Sequence, residues 1–249
     1  MPRYKLTIEY DGSAYKGWQR QNDQPSIQQT LETAIEGFAR YPISVFGAGR
    51  TDAGVHAAAQ VAHIDLKESW DTFKICNAAN AHLRDSDIAV LNAEQVDDDF
   101  NARFSAIARH YVYHIITRRA PLTIHAGRAW NVKVPLDVKA MHEAAQVLVG
   151  MHDFTTFRST ECQAKSPVKT LSKLEVACVD KVDGQHIQIY AYAPSFLHNQ
   201  IRSFAGSLKC VGEGRWSKAD MVSALEARDR KRCGPVAPPQ GLYLEKVDY

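Results

Sequence analysis

Apolar and polar residues alternate through Tyr4-Lys5-Leu6-Thr7-Ile8-Glu9-Tyr10 and stop at Asp11-Gly12, which predicts an opening strand closed by a turn. The period then changes. Ile27, Leu31, Ile35 and Phe38 recur at helical spacing behind Ser26, with Gln29 three residues after it, which predicts an amphipathic helix capped by Ser26 and reaching about residue 39. Residues 43–46 and 58–66 are β-branched or alternating and read as strands; 72–83 reads as a helix and 88–96 as a further strand. The order is β-α-β-β-α-β.

A second series begins with the alternating run His110-Tyr111-Val112-Tyr113-His114-Ile115-Ile116. Asp137 is placed to cap a helix that ends towards Gly150; strands are predicted over 172–179 and 185–192, helices over 196–210 and from Ser217 to about residue 227, and a closing strand over 242–247. The predicted fold class is α+β, not doubly wound, in two similar halves of βαββαβ type, 1–105 and 106–249. Their likeness is one of element order, since no residue-level repeat is evident.

Composition narrows the class. With 249 residues, 45% hydrophobic and 23% charged, the chain is an ordinary globular one, and disordered, collagenous and coiled-coil classes drop out. No apolar run is long enough for a membrane span, and charges at Arg3, Lys5, Glu9 and Asp11 break any signal-peptide core, so a cytoplasmic address is expected. Five scattered cysteines without a C-x-x-C pair predict reduced, structural thiols.

The net charge of +2 says little about partners, but its distribution says more. Residues 100–136 contain no acid and carry Arg103, Arg109, Arg118, Arg119, Arg128 and Lys133; residues 184–212 are also acid-free and hold Arg202 and Lys209. Either run reads as a solvated face beside buried strands or as a surface for phosphates. Phe104, Tyr111, Tyr113, Trp130 and Phe196 lie in or beside them, and aromatics among cations suit a partner that presents phosphates and unpaired bases.

The densest chemistry is in Phe46-Gly47-Ala48-Gly49-Arg50-Thr51-Asp52-Ala53-Gly54-Val55-His56-Ala57, between two predicted strands. It lacks the third glycine of a dinucleotide fingerprint and the lysine of a P-loop. His56 and His63 match no compact metal spacing and have no cysteine beside them, so structural histidines are expected and no metal. Two readings of the loop stand: Asp52 and Gly54 shape a turn with Arg50 paired to Asp52, or Asp52 is a nucleophile kept ionised by nearby arginines while water is excluded.

Taken together, several segments resemble the bacterial tRNA pseudouridine synthases of the A type, nearly end to end. They are Glu9-Tyr10-Asp11-Gly12-Ser13 with Gly17-Trp18-Gln19-Arg20-Gln21, Gly49 to His56, Ala102-Arg103-Phe104-Ser105-Ala106, Tyr111-Val112-Tyr113, His152-Asp153-Phe154-Thr155-Thr156-Phe157-Arg158, Phe196-Leu197-His198-Asn199-Gln200-Ile201-Arg202 and Gly241-Leu242-Tyr243-Leu244. Departures are few: Asn101 stands where relatives often have His, and Ser203 where they often have Asn.

The resemblance implies two halves whose sheets join into one extended mixed, largely antiparallel sheet with helices on one side and a central active-site cleft. It implies isomerisation of uridine to pseudouridine at positions 38, 39 and 40 of the tRNA anticodon stem-loop, by a homodimer and without a cofactor. Asp52 would be the nucleophile, attacking ribose C1′ or uracil C6 of a flipped-out base. Tyr111 would stack on the uracil and help handle its C5 proton, Arg202 would pair with Asp52, Arg50 would help displace the base, and Phe196 and Leu197 would wall the uracil pocket. The alternatives are a non-catalytic RNA-binding or tRNA-chaperone module and a carboxylate-dependent N-glycoside hydrolase.

Overall fold

The computed structural model describes every residue except Asn22. The first elements in chain order are β1 (Arg3–Tyr10), α1 (Ile27–Ala39), β2 (Phe46–Gly47), β3 (His56–Asp65), α2 (Thr72–His82) and β4 (Ile88–Val96). There follow β5 (Ala108–Thr117), β6 (Trp130–Val132), α3 (Val138–Ala145), β7 (Gly150–Asp153), β8 (Val168–Leu171), β9 (Lys173–Lys181) and β10 (Gly184–Ala193). The last are α4 (Gln200–Gly212), α5 (Lys218–Ala227) and β11 (Leu242–Asp248). The strands pair mostly antiparallel, and the α+β class is the predicted one. The chain divides into two compact units, Met1–Ile107 with Tyr243–Tyr249, and Ala108–Leu242.

In the first unit β1 is the middle strand of an antiparallel trio, Leu6 facing Ala62 of β3 on one side and Ala93 of β4 on the other. Its alternation does the sorting: Tyr4, Leu6, Ile8 and Tyr10 are all buried. The terminal strand β11 adds to the other side of β3 in parallel, Tyr243 opposite His56. Helix α1 begins as its sequence predicts, the Ser26 hydroxyl accepting from the Gln29 N–H, and it buries Ile27, Leu31 and Ile35. Phe38, one turn further, packs edge-on against Trp70 at 5.0 Å.

One predicted strand is mostly absent. Of residues 43–46 only Phe46 is in a strand, because the N–H groups of Ile43 and Val45 donate to the carboxylates of Glu36 and Glu32 on α1 instead of to a sheet neighbour.

In the second unit β10 lies antiparallel between β5 and β9, with Tyr111 opposite Ala191, and β6 runs parallel to β5. The pattern did not predict β6, nor the hairpin of β7 and β8. Asp137 caps α3 as expected, but Gly150, at φ 113°, opens β7 where a helix end was predicted. Helix α4 starts at Gln200, four residues later than predicted, since Asn199 at φ 62° breaks the right-handed path just before it. Phe154, Phe157 and Phe204 form an aromatic cluster of edge contacts under α4, all fully buried. Among the described residues no helix is long and apolar enough to cross a membrane.

Candidate active site

The loop from β2 to β3 is fixed through its backbone. Ala48 N–H donates to the Val61 carbonyl at 2.7 Å, Thr51 carbonyl accepts from Trp18 N–H at 3.0 Å, and Gly54 N–H donates to the Tyr15 carbonyl at 3.4 Å. Val55 N–H closes a turn onto the Asp52 carbonyl at 3.1 Å, which the positive φ of Gly54, 76°, allows. Gly17, at φ 97°, lies so close that a β-carbon there would stand 2.7 Å from the Thr51 carbonyl oxygen.

Within this frame Asp52 is partly buried and Arg50 exposed. The unit's ion pairs include Arg3 with Asp65, Lys5 with Glu94 and Arg20 with Glu32; among the described residues none joins Arg50 to Asp52. His56, only 2% exposed, receives the Gly12 N–H on Nδ1 at 3.1 Å, the same nitrogen lying 3.1 Å from an Asp11 carboxylate oxygen. His63 receives the Ala102 N–H on Nδ1 at 3.2 Å. Each histidine is thus tied through Nδ1 to a backbone N–H.

In the second unit Tyr111 is partly buried on β5 and meets Phe196 edge to face, ring centroids 5.4 Å apart and planes at 87°. Leu197, the next residue, is buried, and its N–H donates to the side chain of Gln200 at 2.8 Å, so the turn that carries Phe196 and Leu197 is tied to the first residue of α4. Arg202, half a turn on, donates to the Ala237 carbonyl at 2.8 Å and to the Asn199 side-chain oxygen at 2.7 Å. Tyr113, two residues from Tyr111 and on the same strand face, is held well above the usual phenol value by burial, which the positive Arg202 opposes. The structure thus brings together Tyr111 and Phe196 in one unit, and Arg50 and Asp52 on one loop in the other.

The acid-free stretches are dressed as their composition suggests. Phe104 is 79% exposed with the Arg103 guanidinium 5.4 Å above its ring, and His110 stacks on Tyr192 at 4.3 Å. Other groups around the loop had no assigned role in the sequence: Tyr10, Gly12, Gly17, Trp18 and Gln60. Tyr10, Gly12, Gly17 and Trp18 stood within the segments that carry the family resemblance, and Gln60 only as a polar residue in a run of small apolar ones.

A family model described as tRNA pseudouridine synthase matches residues 6–105 and 144–249. The tRNA pseudouridine synthase A of Rhizobium meliloti (strain 1021) is 59% identical over 251 aligned positions, covering all of both chains. Those of Afipia carboxidovorans and Parvibaculum lavamentivorans are 59% and 56% identical over 249 positions, again covering all of both chains. On these matches the chain belongs to the tRNA pseudouridine synthase family, isomerases acting on tRNA.

Proposed function

We propose that the chain converts uridine to pseudouridine at positions 38, 39 and 40 of the tRNA anticodon stem-loop, with Asp52 as nucleophile and the target base flipped out of its stack. The observation that carries this is the pinned loop: a carboxylate left partly accessible on a backbone hydrogen-bonded from Ala48 to Val55. Flipping costs a few kcal/mol, least in loops and at stem ends, which favours the anticodon arm. Asp52 attacks ribose C1′, displacing N1, or adds to uracil C6, after which the N1–C1′ bond breaks; the base turns, C5 bonds to C1′, the bond to Asp52 breaks to return the free carboxylate, and the C5 proton leaves as N1 gains one. Substrate and product are isomers, so this balance requires no cofactor.

Tyr111 stacks on the uracil and assists departure of the C5 proton, Phe196 and Leu197 supply the apolar wall, Arg202 pairs with Asp52, and Arg50 helps displace the base. The edge contact of Phe196 with Tyr111 and the tether of Leu197 to Gln200 support the wall. The working form on this reading is a homodimer in which one tRNA touches both subunits, combining the basic stretches of a chain whose net charge is only +2.

The test is tritium release from a tRNA transcript labelled at uracil C5, with the modified positions mapped by carbodiimide-primer extension. Release by the parent chain, stops in the anticodon arm and none from Asp52→Asn at retained tRNA binding are expected. Turnover by Asp52→Asn would overturn the nucleophile. Tight binding without release by the parent would make the chain an RNA-binding module, and free uracil in the products would make it a glycoside hydrolase.

A further inference from the structure

The Asp52 loop is gripped from the core at alternate residues. Gly49 offers its carbonyl to the Gln60 amide at 3.0 Å, and the Thr51 hydroxyl lies 2.8 Å from the Tyr10 hydroxyl. The two gripped points flank Arg50, and the second immediately precedes Asp52. All three holding groups are buried: Tyr10 is 4% exposed, Thr51 6% and Gln60 fully covered. The Gln60 amide also lies 3.5 Å from the Tyr10 oxygen, while its own carbonyl accepts the Val61 N–H at 3.2 Å. Three side chains on β1, the loop and β3 thus form one satisfied network.

Such a network is an expensive way to fill a core. A buried hydroxyl or amide costs free energy unless it is bonded, and Phe, Val and Leu would fill the same volume without that demand. What the polar groups add is direction. Burial has pushed the Tyr10 phenol up to about 12, its bonds to Thr51 and Gln60 opposing that rise, so the hydroxyl stays protonated across the working pH range. Buried and protonated, it can hold the Thr51 side chain in one place.

We infer that Tyr10 and Gln60 are positioning residues that set the aim of the Asp52 carboxylate by holding Thr51 and Gly49 from below. The inference rests on Asp52 being the nucleophile. Neither residue touches substrate; each acts through the loop backbone, and a nucleophile displaced by about 1 Å loses on the order of 10²-fold in rate. The effect therefore falls on the chemical step, not on tRNA binding.

The experiment measures single-turnover rate, tRNA Kd and thermal midpoint on the full chain for Tyr10→Phe, Thr51→Val, Thr51→Ser, the Tyr10→Phe/Thr51→Val pair and Asp52→Asn. Tyr10→Phe and Thr51→Val are each expected to slow the single turnover roughly 10- to 100-fold with Kd held within about twofold, and Thr51→Ser, which keeps the hydroxyl, to restore most of the rate. The pair is expected to be no slower than either single change, because one interaction is being removed twice. Full rate per folded molecule in Tyr10→Phe, or a loss that follows binding or folded fraction, overturns the inference. Should Tyr10→Phe fail to fold, Thr51→Val decides on the same terms. An inactive Asp52→Asn beside a fully active Tyr10→Phe removes only the positioning role, whereas an active Asp52→Asn removes the nucleophile and this inference with it.

Discussion

His56 lies flat against Tyr243, ring centroids 4.6 Å apart and planes 22° from parallel. His56 opens β3 directly after the Asp52 loop, and Tyr243 belongs to the last strand of the chain, so the C-terminal residues cover the foot of that loop. Tyr243→Ala uncovers a histidine that is 2% exposed and leaves a ring-sized gap beside it. The expected cost is about 2 kcal/mol in urea unfolding, with Tyr243→Phe losing less because the stack survives. An unchanged midpoint in Tyr243→Ala would mean that the strand is held by its backbone pairing alone.

Tyr111 offers a ring and a hydroxyl, and the two separate by substitution. Tyr111→Phe keeps the edge contact to Phe196, now 5.4 Å, and should bind tRNA as the parent does while turnover falls on the order of 10²-fold, the usual worth of a positioned proton-transfer group. Tyr111→Ala should in addition weaken tRNA binding by about 1–3 kcal/mol through lost stacking. Filter binding and tritium release on the same samples read both. Full turnover by Tyr111→Phe would move the C5 proton to another acceptor and leave Tyr111 as a stacking surface.

Local chemistry was legible along the chain and distant partnership was not. The Ser26 cap and the apolar stripe of α1 depend on residues three and four apart, and the structure has both. The run at 43–46 failed as a strand because its N–H groups find carboxylates on α1, whose reach no periodicity reports. Strands β6, β7 and β8, of three or four residues, are too short to display a period. The loop around Asp52 stood out by its glycines and charges. The groups that hold it did not, since Tyr10 is 41 residues from Thr51 and 50 from Gln60. Tyr10 read as one more apolar position of an alternating strand.

Two glycines near Asp52 differ in what they tolerate. A β-carbon on Gly12 would stand 2.0 Å from the carbonyl oxygen of Val55, a backbone atom that cannot swing aside, and the Gly12 N–H is already committed to His56. Gly12→Ala must therefore push the 52–55 turn away from the backbone at 12–14, at an expected cost of about 1–3 kcal/mol and a slower turnover. A β-carbon on Gly49 would have nothing within 4 Å, so Gly49→Ala should leave the unfolding free energy within about 0.5 kcal/mol of the parent. Equal midpoints for the two variants would show that the turn yields freely.

Stability on the acid side should be governed in part by His63. Burial, then the positive Arg3, holds its pKa below the ordinary histidine value, against a smaller pull from Asp65. Phe46 stacks on the ring at 5.0 Å and Phe100 meets it edge-on, so no further charge offsets the burial from those sides. The folded chain keeps this ring neutral while the unfolded chain takes up a proton as pH falls past about 6.5, so stability declines from there down to the folded value. Asp65 adds a second loss at lower pH. Its two oxygens accept from Arg3 at 2.7 and 2.8 Å, which holds its pKa below the usual carboxylate value; the stabilisation is present above about 3.9 and disappears as pH falls through the folded value. His63→Asn retains an acceptor for the Ala102 N–H but removes the titration, so urea unfolding between pH 7 and 5 should give a shallower fall in stability than the parent gives. Identical slopes would assign the acid sensitivity to other groups.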